Sequence, residues 1–306
     1  MATTTSTPDT SLEALLKRDR LIVIGGLATV IALAWAYILL GAGMDMSAIE
    51  TTAMSQGAIS QGAMSQGETG MAEMAPDPSA SEAKGGSSMS DMAMAAMQPM
   101  AWTPGYAVLM LVMWWIMMVA MMLPSAAPMI LLFATVNRKQ EARGAPYVPA
   151  GIFALGYLAV WAGFSLAAVT LQWALERTAL LSAAMASTSV VLGALLLIAA
   201  GVWQLTPLKH ACLRHCRAPI FFLAHHWRSG RLGALRMGLE HGAFCLGCCW
   251  FLMGLLFYGG VMNLYWIVGL ALYVLLEKTL PAGHWLGGAT GVLLILWGGA
   301  LLLGSL

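Results

Sequence analysis

Residues 21–40 form an uncharged apolar run of about the 20 residues a helix needs to cross a bilayer. Further apolar stretches occupy 106–136, 151–172, 189–206, 242–260, 263–276 and 285–303. A chain built this way cannot bury all of that surface in an ordinary soluble core. Only 9% of its residues are charged, against about 25% in a soluble domain. The pattern therefore predicts an all-α polytopic membrane protein of about seven transmembrane helices. Four segments follow from it: a polar cytoplasmic segment at 1–20, an anchor helix at 21–40, a linking loop at 41–104, and a six-helix membrane domain at 105–306. The apolar core at 21–40 exceeds the roughly 7–15 residues of a cleaved signal peptide, so an uncleaved anchor is expected.

Basic residues set the expected orientation. With the N-terminus in the cytoplasm and the C-terminus outside, all but Lys84 and Arg177 of the 15 Lys and Arg fall on the inner side. The segment 207–238 alone contributes Lys209, Arg214, Arg217, Arg228, Arg231 and Arg236. The net charge of +1 gives no reason to expect a nucleic-acid partner. The expected partner surface is the lipid bilayer.

Methionine is unusually abundant, with 23 residues, eleven of them in 41–104. That segment repeats Met54-Ser-Gln-Gly and Met64-Ser-Gln-Gly and holds seven acidic residues against Lys84. Its composition predicts disorder, since little in it can bury a core. Closely spaced thioethers in such a segment suit exchangeable capture of Cu(I) or Ag(I), although drift in an Ala/Met-rich linker would give the same composition. In 106–136, Met110, Met113, Met117 and Met121 share one helical face, with Met118 and Met122 beside it. Such a stripe serves either adaptable packing or a metal path. Pro124 and Pro128 are expected to end or kink this helix.

The densest chemistry lies in 236–250. On a helix, Met237, His241, Cys245 and Cys248 fall within about 80° of one face, with Cys249 just beside it. Two or three thiols, an imidazole and a thioether on one stripe suit a soft metal ion, whereas a single cysteine would be read as core packing. Cys212 and Cys216, four residues apart, share a face of the preceding basic segment. In the expected topology all five cysteines lie on the reducing side, which excludes a structural disulfide framework. A closed zinc site from Cys212, Cys216, Cys245 and Cys248 stays open as an alternative. Glu240 is expected to pair with Arg236, and Asn263 to cap a helix. Glu277 and Lys278 read either as a buried functional pair or as an interfacial pair. His225, His226 and His284 read as membrane-surface residues.

These motifs also occur together in order: Met117-Met-Val-Ala-Met-Met-Leu-Pro124, Gln204-Leu-Thr-Pro-Leu-Lys209, Cys212 with Cys216, the 236–250 stretch, Gly260-Val-Met-Asn263 and Glu277-Lys278. Over about 105–303 the chain resembles a bacterial family of predicted metal-binding integral membrane proteins, grouped as a domain of unknown function. That resemblance implies a multi-helix fold, metal binding and a bacterial inner-membrane location, and supplies no reaction.

The residues and the resemblance together predict soft-metal handling. Cu(I) would be transported, or delivered to a membrane cuproprotein or exchanged with a periplasmic copper chaperone. Met237, His241, Cys245, Cys248 and Cys249 would hold the ion, Cys212 and Cys216 would relay it, and Met113, Met117 and Met121 would lead to it. Two alternatives stand beside this. One is a thiol-disulfide oxidoreductase using Cys245 and Cys248; the other is a structural zinc scaffold. No nucleotide-binding G-x-x-x-x-G-K-[ST] signature occurs, and no enzymatic reaction is assigned.

Overall fold

The computed structural model describes residues 9–43, 102–144, 146–181 and 185–304, together with Ile49 and Thr52. Ten helices account for the regular structure among the described residues: α1 (Asp9–Leu39), α2 (Pro104–Glu141), α3 (Ala150–Arg177), α4 (Val190–Leu205), α5 (Pro207–Arg217), α6 (Pro219–His226), α7 (Gly230–Gly254), α8 (Leu256–Gly259), α9 (Leu264–Thr279) and α10 (Gly283–Gly304). One isolated bridge joins Leu181 to Ser187. The chain is all-helical, as its periodicity predicts.

Among the described residues, five helical segments are long and apolar enough to cross a membrane: Arg20–Leu39, Pro104–Glu141, Ala150–Arg177, Gly230–Gly259 and Gly283–Gly304. The α4–α5 pair, bent by 66° at Thr206, makes a sixth if it counts as one span. The apolar run at 263–276 becomes α9, a helix of 16 residues. At 1.5 Å per residue it is about 24 Å long, short of a hydrocarbon core of roughly 30 Å. Asn263 caps α9 as expected, its side chain accepting from the Tyr265 N–H at 3.1 Å. The Thr52 hydroxyl accepts from the Leu264 N–H at 3.0 Å. Apart from residues 41–43, 49, 52 and 102–104, the Met-rich segment lies outside the described residues.

Two expectations about helix limits are corrected. Pro124 and Pro128 do not end α2, which continues through both for 38 residues. Each proline lacks the N–H that would bond the carbonyl four residues earlier, on Ala120 and on Pro124, a loss that a helix packed among others tolerates. The Ser125 hydroxyl donates to the Met122 carbonyl at 2.9 Å, and the Tyr157 hydroxyl lies 3.1 Å from the same oxygen. The apolar run at 242–260 is only the later part of its helix, and the basic segment before it is broken twice. It divides into α5, α6 and the first turns of α7, which begins at Gly230 rather than near 242.

The core is organised by close helix contacts. A Cβ on Gly156 of α3 would run into the Leu235 carbonyl of α7, and one on Gly238 of α7 into the Phe153 carbonyl. Only glycine lets these backbones touch, as in small-residue packing between membrane helices. This seam brings the cysteine face of α7 against Tyr157 of α3 and the methionine face of α2. On the opposite side α4 packs along α10, with Gly201 against Gly291. The short α5 then folds back over α7.

Candidate metal centre

Met237, His241, Cys245, Cys248 and Cys249 are all buried on α7, so the face read from helical spacing points inward. Cys216, half-buried on α5, is a near neighbour of both Cys245 and Cys248. Cys249 lies beside them on α7. Its sulfur lies 3.9 Å from the Met122 sulfur and 3.0 Å from the Cys245 carbonyl. The Cys248 thiol turns onto that same carbonyl, also at 3.0 Å. Four cysteines and one methionine from three helices thus neighbour one another in the interior.

The remaining expected residues fall at different distances from this cluster. Cys212, four residues before Cys216, lies over Gly247, where an added Cβ would sit 2.8 Å from its sulfur. Met113, Met117 and Met121 are buried on α2. Relative to Met122, Met117 is about 8 Å and Met113 about 13 Å along the helix axis. Further along, the Met110 sulfur accepts from the buried Gln172 amide at 3.6 Å, and Gln172 also bonds Trp114 and Glu176.

Sequence reasoning missed two members of this site. Lys278 is not an interfacial partner of Glu277. It is buried, and its ammonium donates to the Cys245 sulfur at 3.0 Å and to the Ser125 hydroxyl at 3.0 Å. The Tyr157 hydroxyl is 3.1 Å from the same sulfur. Tyr157 has one proton for two neighbours, so it donates to the Met122 carbonyl only when the Cys245 thiol donates to it. Cys245 is thus the sulfur best surrounded by donors, whereas Cys248 and Cys249 use their protons on a carbonyl. An ammonium against sulfur in a buried site compensates negative charge that the low dielectric would otherwise oppose.

Glu277 instead pairs with Lys209 of α5, both almost fully buried. Arg217 of α5 donates to the carbonyls of Leu280 and Pro281 at 2.5 Å and 2.6 Å. These contacts pin α5 to the end of α9 and so fix Cys216 in place. Glu240 sits at the surface with Arg236 and Arg228, at 3.2 Å and 3.3 Å. The Arg236 pair is the one expected for it.

His241 is 3% exposed, with its ring flanked by Phe153, Tyr157 and Phe222. Its Nδ1 has no hydrogen-bond partner among the described residues. Among those residues no three His, Cys, Asp or Glu side chains already stand in metal-ligand geometry. The Cys248 and Cys249 thiols are turned to the Cys245 carbonyl. The donor chemistry of four thiols and a thioether fits a soft monovalent ion.

A family model described as PpoB2, copper chaperone, matches residues 111–301, more than half of the chain. No curated protein and no solved structure matches.

Proposed function

The chain belongs to the PpoB2 copper-chaperone family, and from that premise we propose that it holds Cu(I) at the buried thiol cluster and delivers it to a cuproprotein at the membrane. The observation that carries this reading is the convergence of Cys216 from α5 with Cys245, Cys248 and Cys249 from α7 and Met122 from α2. Soft sulfur donors select Cu(I) over the oxygen-loving ions. Two thiolates on Cu(I) carry a formal charge of −1, and the Lys278 ammonium beside Cys245 offsets it. The bound site is then close to neutral, as a site among apolar helices requires.

In this reading the bilayer is a bacterial cytoplasmic membrane, with the N-terminus inside and α9 as a short seventh membrane element. The Met-rich segment gathers metal outside, and the methionines of α2 lead inward from Met110 to Met122. Met237 and His241 flank the ion on α7, and Cys212 is an outer stop on α5.

The thiol-disulfide alternative has one observation in its favour, the proximity of Cys216 to Cys248. Metal analysis separates the readings. Protein purified in detergent should bind Cu(I) tightly against a competing chelator. Cys245→Ser and Cys248→Ser should each weaken it at least tenfold while the protein stays monodisperse, because a hydroxyl is a poor soft-metal donor. Wild-type affinity in both variants would return these cysteines to core packing. Zinc in place of copper would favour the scaffold reading.

A further inference from the structure

Next to Cys216 lies a second donor set that the thiol site does not use. His215 precedes Cys216 on α5, and His226 ends α6; both are half-buried, with ring centroids 6.2 Å apart. The Nδ1 of His215 is 2.9 Å from the Ala211 carbonyl, and that of His226 is 3.1 Å from the Phe222 carbonyl. A carbonyl can only accept, so in each ring Nδ1 carries the proton. Nε2 of the neutral ring is then left with its lone pair. A carbonyl behind the ring that fixes this tautomer is the usual outer-sphere arrangement of a metal-binding histidine.

Both rings are also held in orientation. Phe244 stacks on His215 at 4.0 Å with planes 2° apart, and Phe222 stacks on His226 at 4.6 Å and 11°. With metal–nitrogen bonds of about 2.0–2.1 Å, two imidazoles on one ion have centroids roughly 5–6.5 Å apart. The observed spacing falls in that range without movement of either helix.

His241 stands between the two donor sets. Its ring is 5.4 Å from Phe222, which packs on His226, and 5.9 Å from Tyr157, which touches Cys245. Its buried Nδ1 has no hydrogen-bond partner among the described residues.

We propose that His215 and His226 form a second copper site, made of imidazole nitrogens, through which Cu(I) leaves the thiol cluster by way of His241. This rests on the reading of the thiol cluster as the holding site. Nitrogen donors bind Cu(I) less tightly than thiolates, so an ion there is easier for a receiving protein to remove. The half-buried rings are open to such a partner, whereas Cys245 and Cys248 are not.

The test uses the full chain in detergent, loaded anaerobically with one and then two equivalents of Cu(I). X-ray absorption at the copper edge should show sulfur coordination first and added nitrogen at the second equivalent. His215→Leu with His226→Leu should lose the second equivalent and keep the first, while His225→Leu, an exposed neighbour, keeps both. If the double variant keeps two equivalents, the site does not exist. Should that variant fail to fold, diethyl pyrocarbonate labelling of the wild type decides. Copper should protect His215 and His226 severalfold and leave His225 reactive; equal reactivity with and without copper overturns the proposal. Failure of the thiol reading looks different: Cys245→Ser with Cys248→Ser would retain its sulfur-bound copper.

Discussion

Glu277 and Lys278 are adjacent on α9, yet they close two polar sites of opposite kind. Glu277 turns to Lys209 and completes a buried ion pair. Gly287 supplies the space beside it, since an added Cβ would sit 2.6 Å from the carboxylate. Lys278 turns to Cys245 and Ser125 and meets no carboxylate there. One lysine is satisfied by a permanent charge, the other by a sulfur that can be neutral or charged. The first arrangement suits a fixed tether between helices. The second suits a site whose charge changes when cargo arrives.

The largest effect should come from breaking the tether. Lys209→Met leaves the Glu277 carboxylate buried and unpaired, which costs about 3–5 kcal/mol. Thermal unfolding in detergent should show a large destabilisation. Adding Glu277→Leu should recover much of it, because an apolar pair replaces both charges. If the single change leaves unfolding untouched, the contrast between the two lysines fails.

Lys278→Met should show the reverse pattern. The Cys245 thiol can stay protonated once the ammonium is gone, so metal-free stability should fall less than in Lys209→Met. Cu(I) affinity should drop roughly ten- to a hundredfold, the worth of a hydrogen bond to a charged group, about 1.5–3 kcal/mol. Chelator competition measures it. An unchanged affinity would reduce Lys278 to a packing residue.

The smallest effect sharpens the comparison along α2. Met122→Leu removes the thioether beside Cys249 and should weaken Cu(I) binding a few-fold, with a stability change under about 1.5 kcal/mol. Met113→Leu, about 13 Å away along the helix, should leave equilibrium binding unchanged and alter only the rate of metal uptake. Equal losses in the two variants would mean that position along the helix does not matter.

The contents of the site were legible where one helix carries the pattern. His241, Cys245 and Cys248 follow from spacing alone, because helical geometry fixes which residues share a face. What crosses between helices was not legible. Cys212 and Cys216 look equivalent at four residues apart. The 66° bend at Thr206 lays α5 over α7, and the one turn between the two cysteines puts Cys216 beside the cluster and Cys212 over Gly247. Lys278 resembled a boundary residue because its neighbour is a carboxylate, and local sequence does not reveal that the carboxylate belongs to Lys209. The prolines of α2 suggested interruption, yet the helix runs through both of them. Tyr157 itself carries no local signal; it matters because Gly156 and Gly238 let α3 and α7 touch.

The bend at Thr206 also decides how occupancy would be felt elsewhere. Beyond it, α5 is fastened to α9 through Lys209 and Arg217, while Cys245, Cys248 and Cys249 belong to α7. A copper ion shared by Cys216 and the α7 thiols would act as a removable rivet between these two bodies. A ligand that binds only the folded state at a hundred times its dissociation constant adds about 2.7 kcal/mol of stability. The melting point of this protein would then serve as a gauge of the copper it carries, and each delivery event would loosen the face from which the ion departs.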